Sequence, residues 1–171
     1  MLILTYLGEI WNELTFTAMI GQIWVLPLLI CMVALNLGGT SKWVLYAVLM
    51  IILSGPSAHP IQVGWNSRNA NAVRSRTVSA ACYNMFVQAG GIIGSNIYRD
   101  DDKPLYRRGN KVLLGVCCMN IALYLLTKAY YVFRNKQRDK KWSALSEDER
   151  LDYLSTTTDE GNQKLDFRFQ H

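Results

Sequence analysis

Residues 43–65 read WVLYAVLMIILSGPSAHPIQVGW, a run without one Asp, Glu, Lys or Arg. A helix rises about 1.5 Å per residue, so a run of this length covers about 34 Å, enough to cross a hydrocarbon layer of about 30 Å. The same signature recurs outward from it. Residues 14–41 and 77–98 carry no charged side chain, and residues 112–133 carry only Lys128. A soluble helix keeps charge along one face of every turn. Here charge is expelled from four runs and gathered in 66–76, 99–111 and everything after 133. The expectation is an all-α integral membrane protein with about four transmembrane helices, at about 16–37, 43–65, 77–98 and 112–133. Helices are the default because a spanning segment must satisfy its own backbone groups, and the alternating pattern of a membrane barrel is absent.

The chain has 171 residues, 50% of them hydrophobic and 18% charged, with a net charge of +5. This composition excludes a disordered chain and a disulfide scaffold. The basic residues lie in short connections beside apolar runs, where they act as topology and lipid-surface signals rather than as a nucleic-acid footprint. The expected partner is therefore the lipid bilayer, with no nucleic acid. Four spans put the 66–76 connection and the tail on one side, with eight basic residues against six on the other. That bias favours a cytoplasmic tail. Cys31, Cys82, Cys117 and Cys118 all fall inside apolar runs and read as small buried residues. Met1 to Leu7 is apolar but lacks a basic leader and a cleavage site, so it reads as the end of a span whose beginning is absent. Residues 1–13 are then a span remnant and connection, 14–133 the transmembrane region, and 134–171 a polar tail.

Chemistry concentrates in three places. Gly55, Pro56 and Pro60 interrupt the second span, and a broken helix at membrane depth is tolerated only against protein or a water-filled cavity. His59 sits in the break, with Gln62, Trp65, Asn66 and Asn69 following. These are substrate-path candidates; the bland alternative for His59 is a neutral ring bonded to a freed carbonyl at a structural kink. The third span adds Asn84 and Gln88 on one helical face, either lining a cavity or serving as interhelical glue. Gly90, Gly91 and Gly94 there read as a helix-packing motif. Between these spans, Arg68, Arg74 and Arg76 could hold a gate or a lipid phosphate, or simply set topology. In the tail, Ser146-Glu147-Asp148-Glu149 has a capping-box pattern followed by Leu151 and Leu154, which predicts a short amphipathic helix.

No P-loop, dinucleotide fingerprint, nucleophile elbow or zincin helix is present, and the only acidic residues before position 100 are Glu9 and Glu13. No enzyme activity, cofactor or metal is expected; the two histidines are His59 and His171.

The stretch GWNSRNANAVRSRTVSAACYNMFVQAGGIIGSNIYRDDDKPLYRRGNKVL, residues 64–113, resembles the C-terminal half of fungal allantoate-type permeases. These belong to the anion:cation symporter family of the major facilitator superfamily. The resemblance rests on Trp65, Asn69, Arg76-Thr77, Asn84, Gly90-Gly91, Gly94, Ile97-Tyr98, Asp102, Pro104, Tyr106 and Gly109, and continues in the tail as WSALSEDERLDYLSTTTDEGNQKLDFRF. It implies that the four spans match the last four of a twelve-span transporter. It also implies a cytoplasmic tail, a plasma-membrane location and proton-coupled uptake of small organic anions such as allantoate, ureidosuccinate or vitamin carboxylates. One departure is that no basic residue precedes Lys42, where the family pattern sets basic residues after an acidic one. A larger one is the absence of an N-terminal half. The chain is therefore expected to be a truncated family member that does not transport alone. The alternatives are one half of a split transporter that needs a separate N-terminal partner, or a non-transporting membrane interaction protein.

Overall fold

A computed structural model describes residues 6, 8, 10, 13–34, 41–103 and 106–171. Most of the expected 1–13 remnant, the end of the first span and Pro104 lie outside the described residues. Among the described residues, six α-helices follow one another from Leu14 onward: α1 Leu14–Ala34, α2 Lys42–Leu53, α3 His59–Ala70, α4 Val73–Ser95, α5 Arg107–Ser143 and α6 Glu147–Thr156. Two 3-10 turns, Asp100–Asp102 and Gly161–Gln163, complete the regular structure, and among the described residues there is no strand.

The run that opens the sequence is two helices with a corner between them. Gly55 turns its N–H to the Ile52 carbonyl (3.2 Å), so the Ile51 carbonyl loses its helical partner. Two side chains replace it: Ser54 Oγ donates to Ile51 O at 2.9 Å, and Trp24 Nε1 of α1 donates to the same oxygen at 3.1 Å. The corner is seated against α1, where a Cβ on Gly21 would lie 2.7 Å from the Pro56 carbonyl oxygen. Only glycine permits that approach. Pro60 departs from the expected role. It stands in the first turn of α3, where its missing N–H costs nothing, so it starts a helix rather than interrupting one.

Among the described residues, two helices, α1 and α5, are long and apolar enough to cross a membrane by length and composition. α5 is one unbroken helix of 37 residues, so the first ten residues of the expected polar tail continue the last span as helix. The helix in the third-run region starts four residues before Thr77 and stops at Ser95, leaving Ile97 and Tyr98 in a turn.

α1 packs along α5, and α3 packs on α4 and α1. Leu14, Ala18, Ile61 and Trp65 form the buried centre, with Tyr124 and Tyr131 of α5 against it. α4 buries none of its residues; Met85, Phe86, Ile92 and Ile93 stand 68–78% exposed. An apolar face of that kind is costly in water and free in lipid. A Cβ on Gly90, Gly91 or Gly94 would meet open space. The packing role expected of this motif is thus not exercised within the described chain, because no helix lies against that face.

Candidate functional site

The polar side chains of α3, α4 and α5 meet just past the corner. His59 Nδ1 lies 2.6 Å from the Tyr83 hydroxyl, and that hydroxyl donates to Gln62 Oε1 at 2.9 Å. Gln62 Nε2 in turn donates to the Tyr124 hydroxyl. The imidazole tautomer sets which partner donates in the first link. The result is a ladder of hydrogen bonds from His59 through Tyr83 and Gln62 to Tyr124, across three helices. The spacing explains it: His59 and Gln62 are three residues apart on α3 and share a face.

The ladder borders two small cavities. One, of about 210 Å³, is lined by Gln22, Gln62, Trp65, Asn120, Leu123, Tyr124 and Thr127. The other, of about 150 Å³, lies between α3 and α4 and is lined by Val63, Asn66, Ser67, Arg76, Ala80, Tyr83 and Asn84. Gln62 faces the first, Tyr83 faces the second, and their hydrogen bond joins the two. Amides, hydroxyls and one guanidinium are groups that can hold a small carboxylate, which needs several donors and one positive charge. Among the described residues, no three His, Cys, Asp or Glu side chains gather where they could share a metal ion.

The expected site residues are thus divided. His59 and Gln62 are in the ladder, and Asn66, Asn84 and Arg76 line the α3–α4 cavity. Gln88 is exposed, and so are Arg68 and Arg74. Trp65 and Asn69 depart from an open-path role. Both are buried, and both donate to the backbone of the tail, at 2.7 and 3.1 Å from the Gln170 carbonyl oxygen. Their polar atoms are therefore occupied by protein.

Three contributors escaped the sequence reading. Tyr83 and Tyr124 are ordinary aromatic residues in apolar runs until the fold brings their hydroxyls to one amide. Lys128, the one charge in the last apolar run, turns toward α1. It pairs with Glu13 at 2.6 Å and lies 3.9 Å from the centre of the Phe16 ring. The signal was available as a single cation in the last run and a single acid at the start of the first.

Comparison with known proteins gives three yeast relatives. "Uncharacterized transporter YIL166C" of Saccharomyces cerevisiae is 50% identical over 152 residues, 89% of this chain and 28% of that protein. "Putative uncharacterized transporter YOL162W" of the same yeast is 45% identical over 168 residues, 98% of this chain and 78% of that protein. "Uncharacterized transporter C757.13" of Schizosaccharomyces pombe is 23% identical over 67% of this chain and 22% of that protein. The chain therefore spans about a quarter of two of these relatives and most of the third. No protein-family model and no solved structure matches it.

Proposed function

The chain belongs to the family of the putative uncharacterized transporter YOL162W of Saccharomyces cerevisiae, and from that membership we propose that it is part of a carrier for small organic anions. The type is a proton-coupled allantoate permease of the major facilitator superfamily, with allantoate, ureidosuccinate or a vitamin carboxylate as substrate class. The observation that carries the reading is the ladder from His59 to Tyr124 beside two polar cavities, in helices whose outer faces are apolar. In this reading Arg76, Asn66 and Asn84 receive the anion, and Gln62 with Tyr83 links that cavity to the α1–α5 side. The chain is part of a carrier and not an enzyme. α2 and α3 together make one bent crossing and α4 makes another, so that four crossings form a multi-pass unit of the plasma membrane with the tail in the cytoplasm. The support for α4 as a crossing is its lack of any buried residue.

The open face of α4 favours a second element of the reading. The apolar side chains and the three uncovered glycines suit a helix supplied by an N-terminal transporter half, and alone the chain does not transport. The test is a chimera in which this chain replaces the matching segment of YIL166C, expressed in yeast and assayed with a panel of labelled organic anions. The expected result is uptake by the chimera, none by the chain alone, and at least a tenfold loss with Arg76→Ala or Gln62→Ala. His59→Ala should also reduce uptake. A chimera that reaches the membrane and takes up none of the anions in the panel would sink the proposal.

A further inference from the structure

The last residues of the chain are bound, backbone first, at one end of the helix bundle. Two asparagines on different helices hold two consecutive residues. Asn135 of α5 accepts from Phe169 N–H and donates to the Phe169 carbonyl, both at 2.8 Å. Asn69 of α3 accepts from Gln170 N–H at 2.9 Å and donates to the Gln170 carbonyl at 3.1 Å. A carboxamide carries one donor and one acceptor side by side, as a peptide group does, so each pair reproduces one rung of a sheet. Such recognition reads an extended backbone whatever its side chains are.

Side chains then select the segment. Trp65 Nε1 donates a further bond to Gln170 O. The Phe169 ring stacks on Tyr131 with centroids 4.8 Å apart and planes 3° from parallel, and the Arg138 guanidinium lies 4.9 Å from the same ring centre. Arg138 is buried, 8% exposed, and donates to the Phe167 carbonyl at 3.0 Å and the Asn162 carbonyl at 2.7 Å. At the far end, the first amide of α1, Leu14 N–H, donates to the His171 backbone oxygen at 3.3 Å. At the near end, Gly161 has φ of +60°, and a Cβ there would lie 2.8 Å from Ala72 Cβ at the α3–α4 junction.

We propose that the ends of α3 and α5 form a docking cleft for an extended peptide, that residues 167–171 are its occupant, and that the docked segment is a strap across α1, α3 and α5. Separation of α3 from α5 at this end requires the strap to leave, because Asn69 and Asn135 grip adjacent residues. The inference rests on the hydrogen bonds and ring contacts of the tail and stands whether or not the chain takes part in transport.

The test is site-resolved amide exchange on the full chain in lipid nanodiscs. The Phe169, Gln170 and Leu14 amides should exchange at least a hundredfold more slowly than in an unstructured chain. Asn135→Ala should release all three together, to within tenfold of the unstructured rate, while amides in the middle of α1 and α5 keep theirs. Phe169→Ala, which removes the ring stacked on Tyr131 and leaves both asparagines in place, should give the same joint release at Gln170 and Leu14. Wild-type exchange of Phe169 and Gln170 at the unstructured rate would overturn the cleft. Loss at Phe169 with Gln170 and Leu14 still protected would overturn the strap.

Discussion

At the scale of single residues, the connection between α4 and α5 shows how much a short string of charges can conceal. RDDDKPLYRRGN reads as a polar surface loop, yet it is closely built. Asp102 Oδ2 accepts from the first free amides of α5, Arg108 N–H at 2.7 Å and Gly109 N–H at 3.1 Å, and so caps the helix from a distance. Tyr98 stands edge-on to Tyr106 and donates to Asn110 Oδ1 at 3.1 Å. A Cβ on Gly109 would sit 2.7 Å from the Tyr98 ring. Gly109→Ala should therefore displace Tyr98 and destabilise the chain by about 1–3 kcal/mol, measured as a lower midpoint in detergent unfolding; an unchanged midpoint would show that the ring yields freely. Lys128→Met should cost about 1–3 kcal/mol, below the loss for a fully buried pair because Glu13 keeps some solvent. The double variant with Glu13→Gln should recover part of that loss, and strict additivity would deny the pairing. Sequence could quote Asp102, Tyr106 and Gly109 as part of a resemblance. Their reason became readable only when the turn brought residues 98 and 110 together.

At the scale of elements, helix starts and stops were legible where the signal is local. The S-x-x-E at 146–149 begins α6, and both reciprocal bonds are present: Glu149 N–H to Ser146 Oγ at 3.3 Å and Ser146 N–H to Glu149 Oε2 at 2.8 Å. The Ser146 backbone bond, aided by the Ser146 hydroxyl, holds the Glu149 carboxyl below its ordinary pKa. The sign follows from linkage. A group with a depressed native pKa adds stability that is full above its unfolded value and fades as pH falls through the native one. The first turn of α6 should hold at pH 7 and fray as pH drops below about 4. Glu149→Gln should remove that pH dependence, as read by amide exchange at Glu149; fraying that persists unchanged in the variant would assign the effect elsewhere. The corner between α2 and α3 was also legible, from Gly55 and Pro56. What seats it was not, because Gly21 and Trp24 lie thirty residues away and nothing local links them. The same holds for the tail, whose partners Trp65, Asn69 and Asn135 are distant in sequence.

At the scale of the whole molecule, charge segregation marked a membrane protein, and the family relation agrees with it. The count of crossings is finer than two apolar helices can supply, since Asn84, Gln88 and three glycines dilute the apolar run of α4 and the second run is split. Two measurements address this. After alkaline carbonate extraction the chain should stay in the membrane pellet, and its release to the supernatant would remove the membrane assignment. Cysteines placed at Ser75 and Gln163 should react with an impermeant maleimide from the same side, because the docked tail brings both to one end; a cysteine at Lys103 should react from the opposite side. Labelling of all three from one face would reject the crossings assigned to α4 and α5.

One consequence belongs to the length of α5. Its 37 residues form a rod of about 55 Å, and the described helix has no proline in it. Its head is fixed by Asp102 and Tyr98, and its foot carries Asn135 and Arg138, the residues that hold the tail. Such a rod is a lever: pivoting by about 10° at the head would sweep Asn135 and Arg138 sideways by about 8 Å. That sweep is about twice the reach of a hydrogen bond. A small rocking motion deep in the membrane would thus be read at the far end as the making or breaking of the tail's attachment.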